Sequence, residues 1–293
     1  MDSLNLSETT SNTGTAFELG ALTWGQSYLM CPPDHFGVLY EINPWMHRDV
    51  VTDKDLAYEQ WHNLVINIEK AGGMVATMEP VESLPDIVFA ANAGMVDRHR
   101  FVVSRFRYPE RQPEAIHDAA WFQAKGFEII ELSLESDTYF EGCGDVFPMR
   151  NRLLAGYGFR TDQAAHVALG QALGVEVLSV KLIDPRFYHL DLSFCPLDEH
   201  RAIIAPNAWD VQSCEVIKQL VPEPLVLELD EALTFCANSI VVGKVVIMPH
   251  CPLRVGRILE RWGYHVCVSP VSEFLKAGGG VRCLTLALDA TLQ

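Results

Sequence analysis

Apolar residues recur at helical spacing five times along the chain, and each run is stopped by glycine or proline and followed by a β-rich segment. The first run spans 55–71, with Trp61, Leu64, Val65 and Ile68 on one face, and ends at Gly72-Gly73. Segments 113–125, 162–173, 210–221 and 252–262 repeat the pattern, stopped at Gly126, Gly174, Pro222 and Gly263. Glycine after the last periodic residue supplies a left-handed helix cap, and proline cannot continue a helix.

A short strand and a polar connection follow each stop. In the first four cases two strands around a tight turn come next: 94–96 and 101–103, 146–148 and 153–155, 192–194 and 202–204, 239–242 and 245–248. The fourth post-helix strand is placed at 225–229, and the fifth unit reaches 284–288 without a hairpin. The stops lie 54, 48, 48 and 41 residues apart, a period that signals a repeat architecture. An isolated strand at 28–30 has no unit of its own and would supply the one the fifth unit lacks. The predicted fold is α/β: five strand–helix units around an axis, a closed pseudo-fivefold α/β propeller. An open α/β sheet is the competing arrangement, but it needs single parallel strands alternating with helices, and the hairpins argue against it.

Composition narrows the function classes. The 293 residues carry 22 Lys+Arg against 38 Asp+Glu, a formal net charge of −16. That balance repels phosphate backbones and anionic lipid, and no local basic patch offsets it; nucleic acid and membrane are disfavoured as partners. Residues 1–22 contain no Lys or Arg and no continuous apolar run, so they read as neither a signal peptide nor a transit peptide. Residues 1–25 are expected to be a disordered tail and 26–293 a single catalytic domain, cytoplasmic, with self-association left open. The eight cysteines include no C-x-x-C pair, which argues against a tight zinc site and makes each by default a buried reduced thiol.

One polar residue interrupts the apolar run at the connection opening each hairpin: Asn92, Glu141, His189, Asn238 and Cys283. In a fivefold ring these equivalent positions converge on the axis. Cysteine with histidine and a carboxylate is the composition of a nucleophilic site, in which a nearby cation favours the thiolate, histidine moves protons and the carboxylate orients its ring. Position alone leaves open whether Cys283, preceded by Gly278-Gly279-Gly280, is a nucleophile or an inert thiol. His189-x-Asp191 would place imidazole and carboxylate on one face of an extended segment. His250-Cys251 has no second pair at ligand spacing and reads as structural, and Asn43-Pro44 is a common turn signature.

At these residues the chain resembles the guanidino-group-modifying enzymes of the pentein superfamily, a five-bladed α/β propeller. The resemblance rests on LMCPPDHFGVLYEINPWM, LPDIVFAANAGMV, RFRYPERQPE, GYGFRTD, DPRFYHLD and KAGGGVRCLTL, and it is closest to arginine dihydrolases and dimethylarginine dimethylaminohydrolase-like proteins. It implies Cys283 as nucleophile, His189 as general acid/base, and Glu141 and Asp191 as carboxylates holding the histidine and a guanidinium. It also implies Arg111 and Arg160 as arginines gripping a substrate α-carboxylate, and Asn43 as a substrate contact. Asn92 stands where deiminases and dimethylarginine hydrolases have aspartate and arginine dihydrolases have asparagine, which favours the dihydrolase side. The implied activity is hydrolysis of arginine or a methylated arginine through a covalent amidino-thioether, with no metal or cofactor and a small cationic guanidino compound as partner. An amidinotransferase and a catalytically silent scaffold are the alternatives.

Overall fold

The computed structural model describes residues 21–292. Along the chain, β1 (Ser27–Met30) precedes α1 (Lys54–Lys70) and β2 (Met74–Thr77). Next come β3 (Gly94–Asp97), β4 (Arg100–Val103), α2 (Glu114–Ala124) and β5 (Glu128–Ile130), then β6 (Val146–Met149), β7 (Arg152–Tyr157), α3 (Gln163–Leu173) and β8 (Glu176–Lys181). The fourth group is β9 (Phe194–Pro196), β10 (Arg201–Ile204), α4 (Val211–Leu220) and β11 (Glu223–Val226), followed by the short α5 (Leu229–Ala232). The chain then forms β12 (Ile240–Val242), β13 (Val245–Met248), α6 (Leu253–Arg261), β14 (His265–Val268), the short α7 (Ser272–Leu275) and β15 (Leu286–Ala287).

These strands form five three-stranded sheets, in the orders β3-β4-β5, β6-β7-β8, β9-β10-β11, β12-β13-β14 and β15-β1-β2. Each sheet pairs two strands antiparallel and adds, in parallel, the strand that follows a helix. A parallel partner needs a crossover, which the helix provides. The fifth sheet is closed from both ends of the chain, with Tyr28 opposite Ala287 and Leu29 opposite Leu286. Burial is graded across every sheet: β3, β6, β9, β12 and β15 are buried throughout, whereas β2, β5, β8, β11 and β14 are partly exposed. The first group therefore lines the axis of a five-bladed α/β propeller.

Local chemistry explains the boundaries. Asp53 and Asp210 cap their helices by accepting the N–H groups of Leu56 and Ser213, and Gly174 takes the left-handed conformation (φ 73°) that closes α3. Three expectations shift. The strand placed at 192–194 begins at Phe194, because Leu190–Leu192 forms a 3₁₀ turn. The strand placed at 225–229 lies at Glu223–Val226, because Glu228 donates its N–H to the Glu231 carboxylate and starts α5. Residues 21–25, expected to be disordered, are held in place: Ala21 bridges to Asp198, Trp24 is 5% exposed, and the Gly25 N–H donates to Asp289; the rest of the expected tail, residues 1–20, lies outside the described residues. Among the described residues no helix is long and apolar enough to cross a membrane.

Ring closure depends on β1. Leu29 is fully buried between β15 and β2, so Leu29→Ala should cost about 2–5 kcal/mol in urea unfolding. Met74→Ala, on the same sheet but at a side chain 65% exposed, should stay within about 0.5 kcal/mol. Equal effects would contradict closure through β1.

Candidate active site

The connections entering the axial strands are tight turns rather than extended chain. Ala90–Ala93, Gly142–Gly144 and Leu190–Leu192 are 3₁₀ turns immediately before β3, β6 and β9. They carry Asn92, Glu141, His189 and Asp191 to the axis, where these residues, Asn238 and Cys283 are all at most 3% exposed. His189 and Asp191 thus do not share a face of an extended segment; the turn divides them between two clusters. Gly144 makes the approach possible, since a Cβ there would sit 2.3 Å from Asn92 Nδ2 and 3.0 Å from His189 Nδ1.

The first cluster centres on Glu141. Its Oε2 lies 2.9 Å from His189 Nε2 and accepts from Arg160 Nη1 at 2.9 Å, while Oε1 accepts the Arg107 N–H at 3.1 Å. Burial raises the Glu141 pKa, but Arg160 and then His189 outweigh it and hold the carboxyl well below its usual range. An ionised carboxylate only accepts, so His189 carries a proton on Nε2, and Nδ1 is the nitrogen left to exchange one. Arg160 is clamped between the rings of Tyr108 and Tyr188, 4.8 and 4.6 Å from their centroids. Asp145 Oδ2 lies 3.9 Å from His189 Nε2, and burial, only partly offset by His189, pushes that carboxyl up to about 6.

The second cluster holds Cys283. Its Sγ lies 3.2 Å from Asp191 Oδ2 and 3.2 Å from Asn238 Nδ2. Burial, followed by the Asp191 charge, pushes the thiol well above its ordinary value, so the resting group is a neutral S–H donating to Asp191. Burial likewise raises Asp191 to about 7, against the lowering effects of Cys283, Arg282 and Asn238. Asn43, from the loop after β1, packs on the glycine run: its Nδ2 donates to the Ala277 carbonyl, and its Oδ1 accepts the Trp45 N–H.

The third cluster centres on Arg111, which donates to both oxygens of Glu114, to Asn92 Oδ1 at 2.7 Å and to the Asp86 carbonyl at 3.1 Å. Neither arginine expected to grip a carboxylate stands free, since Arg160 also donates to the Ile42 carbonyl. Asp86 escaped the sequence reading; a lone aspartate in the apolar run LPDIVF was its signal. It is buried near the Arg111 and Arg160 charges, its carboxyl lies beside the Tyr40 hydroxyl, and no well-formed hydrogen bond reaches Oδ1. Asn92 Nδ2, Asp145 Oδ2 and Asp191 Oδ1 are also unpaired. The unpaired Asp191 oxygen, in the cluster that holds Cys283, suits a cation rich in N–H groups. Among the described residues no group of three or more His, Cys, Asp or Glu could hold a metal ion, and His250 and Cys251 lie outside these clusters.

Residues 41–289 match the family described as N,N dimethylarginine dimethylhydrolase, eukaryotic. The chain is 41% identical over 263 residues to a bifunctional arginine dihydrolase/ornithine cyclodeaminase, ArgZ, of Synechocystis, covering 88% of this chain but only 37% of that relative. It is 37% identical to an N(G),N(G)-dimethylarginine dimethylaminohydrolase of Mycobacterium tuberculosis, covering 89% of this chain and 85% of that one. The crystal structure of the N-terminal domain of ArgZ, a cysteine-to-serine variant bound to substrate, superposes with a TM-score of 0.87 at 39% identity, covering 91% and 99% of the two chains. A further variant of that domain is covalently bonded to a reaction intermediate.

The raised carboxyls make stability fall as pH rises. Asp191 and Glu114, raised by burial to about 7, and Asp145, raised to about 6, bind protons more tightly in the folded chain than at their ordinary values of 3.8 to 4.5. Their contribution therefore declines from about pH 4 to about pH 7. Glu141 acts oppositely only as pH falls below its ordinary 4.5, outside this window, and His166, lowered by burial to about 4, opposes the trend up to about pH 6.5 as one group against three. The urea midpoint of the ligand-free protein should be higher at pH 5.5 than at pH 7.5, and Asp191→Asn should reduce that slope. An unchanged slope would contradict the assignment.

Proposed function

The chain belongs to the N,N-dimethylarginine dimethylhydrolase family, whose match spans residues 41–289, and we propose that it is a cysteine-dependent hydrolase attacking the guanidinium carbon of arginine or an Nω-methylated arginine. The observation that carries this reading is the buried Asp191 carboxylate, with one oxygen unpaired and the other accepting from a neutral Cys283 thiol. A bound guanidinium supplies the missing N–H donors. It also offsets the Asp191 charge that keeps the thiol protonated, so the substrate activates its own nucleophile.

The chemistry then follows from the groups present. The thiol proton passes to His189 Nδ1 and the Cys283 thiolate bonds to the guanidinium carbon. His189, held by Glu141 and now cationic, gives that proton to the departing amine as the C–N bond breaks, leaving an amidino-thioether. Water loses a proton to His189 and attacks the same carbon; the C–S bond breaks and the sulfur is reprotonated. The product is a ureido compound, citrulline from arginine. A second round on the ureido group completes a dihydrolase reaction, giving ornithine, carbon dioxide and two ammonia in total.

The amino-acid end has a matching site. Asp86 Oδ1 suits an α-ammonium, and Arg111 and Arg160 suit an α-carboxylate if the N–H groups now on the Asp86 and Ile42 carbonyls are shared with it. Asn43 would meet the substrate from the loop over Gly278. The asparagine at position 92, together with similarity to a bifunctional dihydrolase, favours the dihydrolase outcome over dimethylargininase. The chain spans little more than a third of that relative's length, and only the dihydrolase chemistry is proposed for it. We propose that residues 26–293 form one catalytic domain and that it works in the cytoplasm.

Incubation with arginine should yield ornithine and ammonia; citrulline alone would favour a deiminase-type reaction, and dimethylamine from dimethylarginine a dimethylargininase. Cys283→Ser should abolish turnover, and Glu141→Gln should lower kcat by about a hundredfold or more. Full activity in Cys283→Ser would sink the reading.

A further inference from the structure

Asn238, from the connection entering β12, has no part in the proton transfers above, yet its whole side chain is committed to the segment holding Cys283. It is completely buried. Its Oδ1 accepts the N–H groups of Arg282 and Cys283 at 3.0 and 3.2 Å. Its Nδ2 donates to the Asp191 carbonyl at 3.1 Å and meets Cys283 Sγ at 3.2 Å. The two backbone N–H groups can only donate and the Asp191 carbonyl can only accept, so the amide oxygen must face 282–283 and the nitrogen must face sulfur. Gly280 leaves room for this: a Cβ there would lie 2.7 Å from Asn238 Oδ1.

We propose that Asn238 is a catalytic residue that donates its Nδ2–H to the Cys283 sulfur and stabilises it as the thiolate; this deepens the cysteine-hydrolase reading and rests on it. The groups facing the sulfur divide in two. Asp191 Oδ2 resists a negative charge there. The Asn238 amide and the Gly280 backbone N–H favour it, with the Arg282 guanidinium acting on Asp191. Asn238 is the side-chain donor of this set. Because three other hydrogen bonds fix it, its N–H needs no reorganisation as charge develops on sulfur in a site closed to water. Asn238 itself neither gains nor loses a proton.

Alkylation by iodoacetamide without substrate, followed on the Cys283 peptide by mass spectrometry across pH, reads the thiolate population directly. Asn238→Asp keeps an oxygen acceptor for the two backbone N–H groups and removes the donor; Asn238→Ala removes the donor without adding charge. Both should alkylate about tenfold more slowly on the rising limb of the pH profile, a shift of about one pH unit, and kcat should fall with KM nearly unchanged. Wild-type alkylation profiles in both variants would overturn the proposal, whether or not their melting temperatures fall, and so would a shift in Asn238→Asp alone, which charge would explain. Should neither variant fold, Gly280→Ala, which crowds Oδ1 and leaves every ionisable group in place, must show the same shift. Failure of the enzyme reading is seen separately, as turnover surviving Cys283→Ser.

Discussion

A carboxylate withdrawn from water must be paired with positive charge or take up a proton, and the axis of this propeller is arranged around that constraint. Glu141 meets it by pairing: Arg160 on one side and His189 on the other keep it ionised at full burial. That choice fixes the rest of the cluster. The carboxylate dictates that His189 Nε2 carries a proton, the imidazole turns Nδ1 toward Asn92 and Gly144, and two tyrosine rings hold Arg160 in place. Asp191 meets the constraint the other way. With no arginine within ion-pair distance, it accepts from the Cys283 thiol, keeps one oxygen unpaired and has its pKa raised. Asp191 thus stands without an ion-pair partner, and the proposed guanidinium substrate would provide one.

The fold makes this arrangement available by bringing one position of each unit to the axis. The tight turns before β3, β6 and β9 and the glycine-rich segment before β15 let backbone and side chains approach more closely than ordinary residues permit. Gly144 admits Asn92 and His189, Gly279 admits the Phe89 ring, Gly280 admits Asn238, and Gly278, at φ 84°, admits Asn43. The glycine run before Cys283 therefore serves three separate contacts, and each links the Cys283 segment to a different part of the ring.

Much of this was legible in the residues. Five helices with Gly or Pro stops and four hairpins follow from periodicity, and the closure of the fifth sheet by 28–30 follows from a count of strands. The convergence of Asn92, Glu141, His189, Asn238 and Cys283 follows from their equivalent positions. The turn at Leu190–Leu192 was hidden because its apolar alternation reads equally well as strand. Asp86 was missed because one aspartate in an apolar run carries no pattern, and the pairing of Arg111 with Glu114 needs the geometry of α2 to be seen. Trp24 lay in a stretch assigned to a tail, although its ring covers the buried Arg282 guanidinium at 5.1 Å. Residue roles beyond a generic cysteine–histidine site came from family resemblance rather than from spacing.

The central claim is that Cys283 bonds covalently to the guanidinium carbon of an amino-acid substrate and expels its terminal amine. Acid-quenching the enzyme during turnover of arginine and mapping the Cys283 peptide by mass spectrometry tests this most directly. The account predicts an adduct on Cys283 equal to arginine less ammonia. A bare amidino group there would mean that ornithine leaves first, as in an amidinotransferase, and turnover with no adduct under any quench condition would contradict the covalent route.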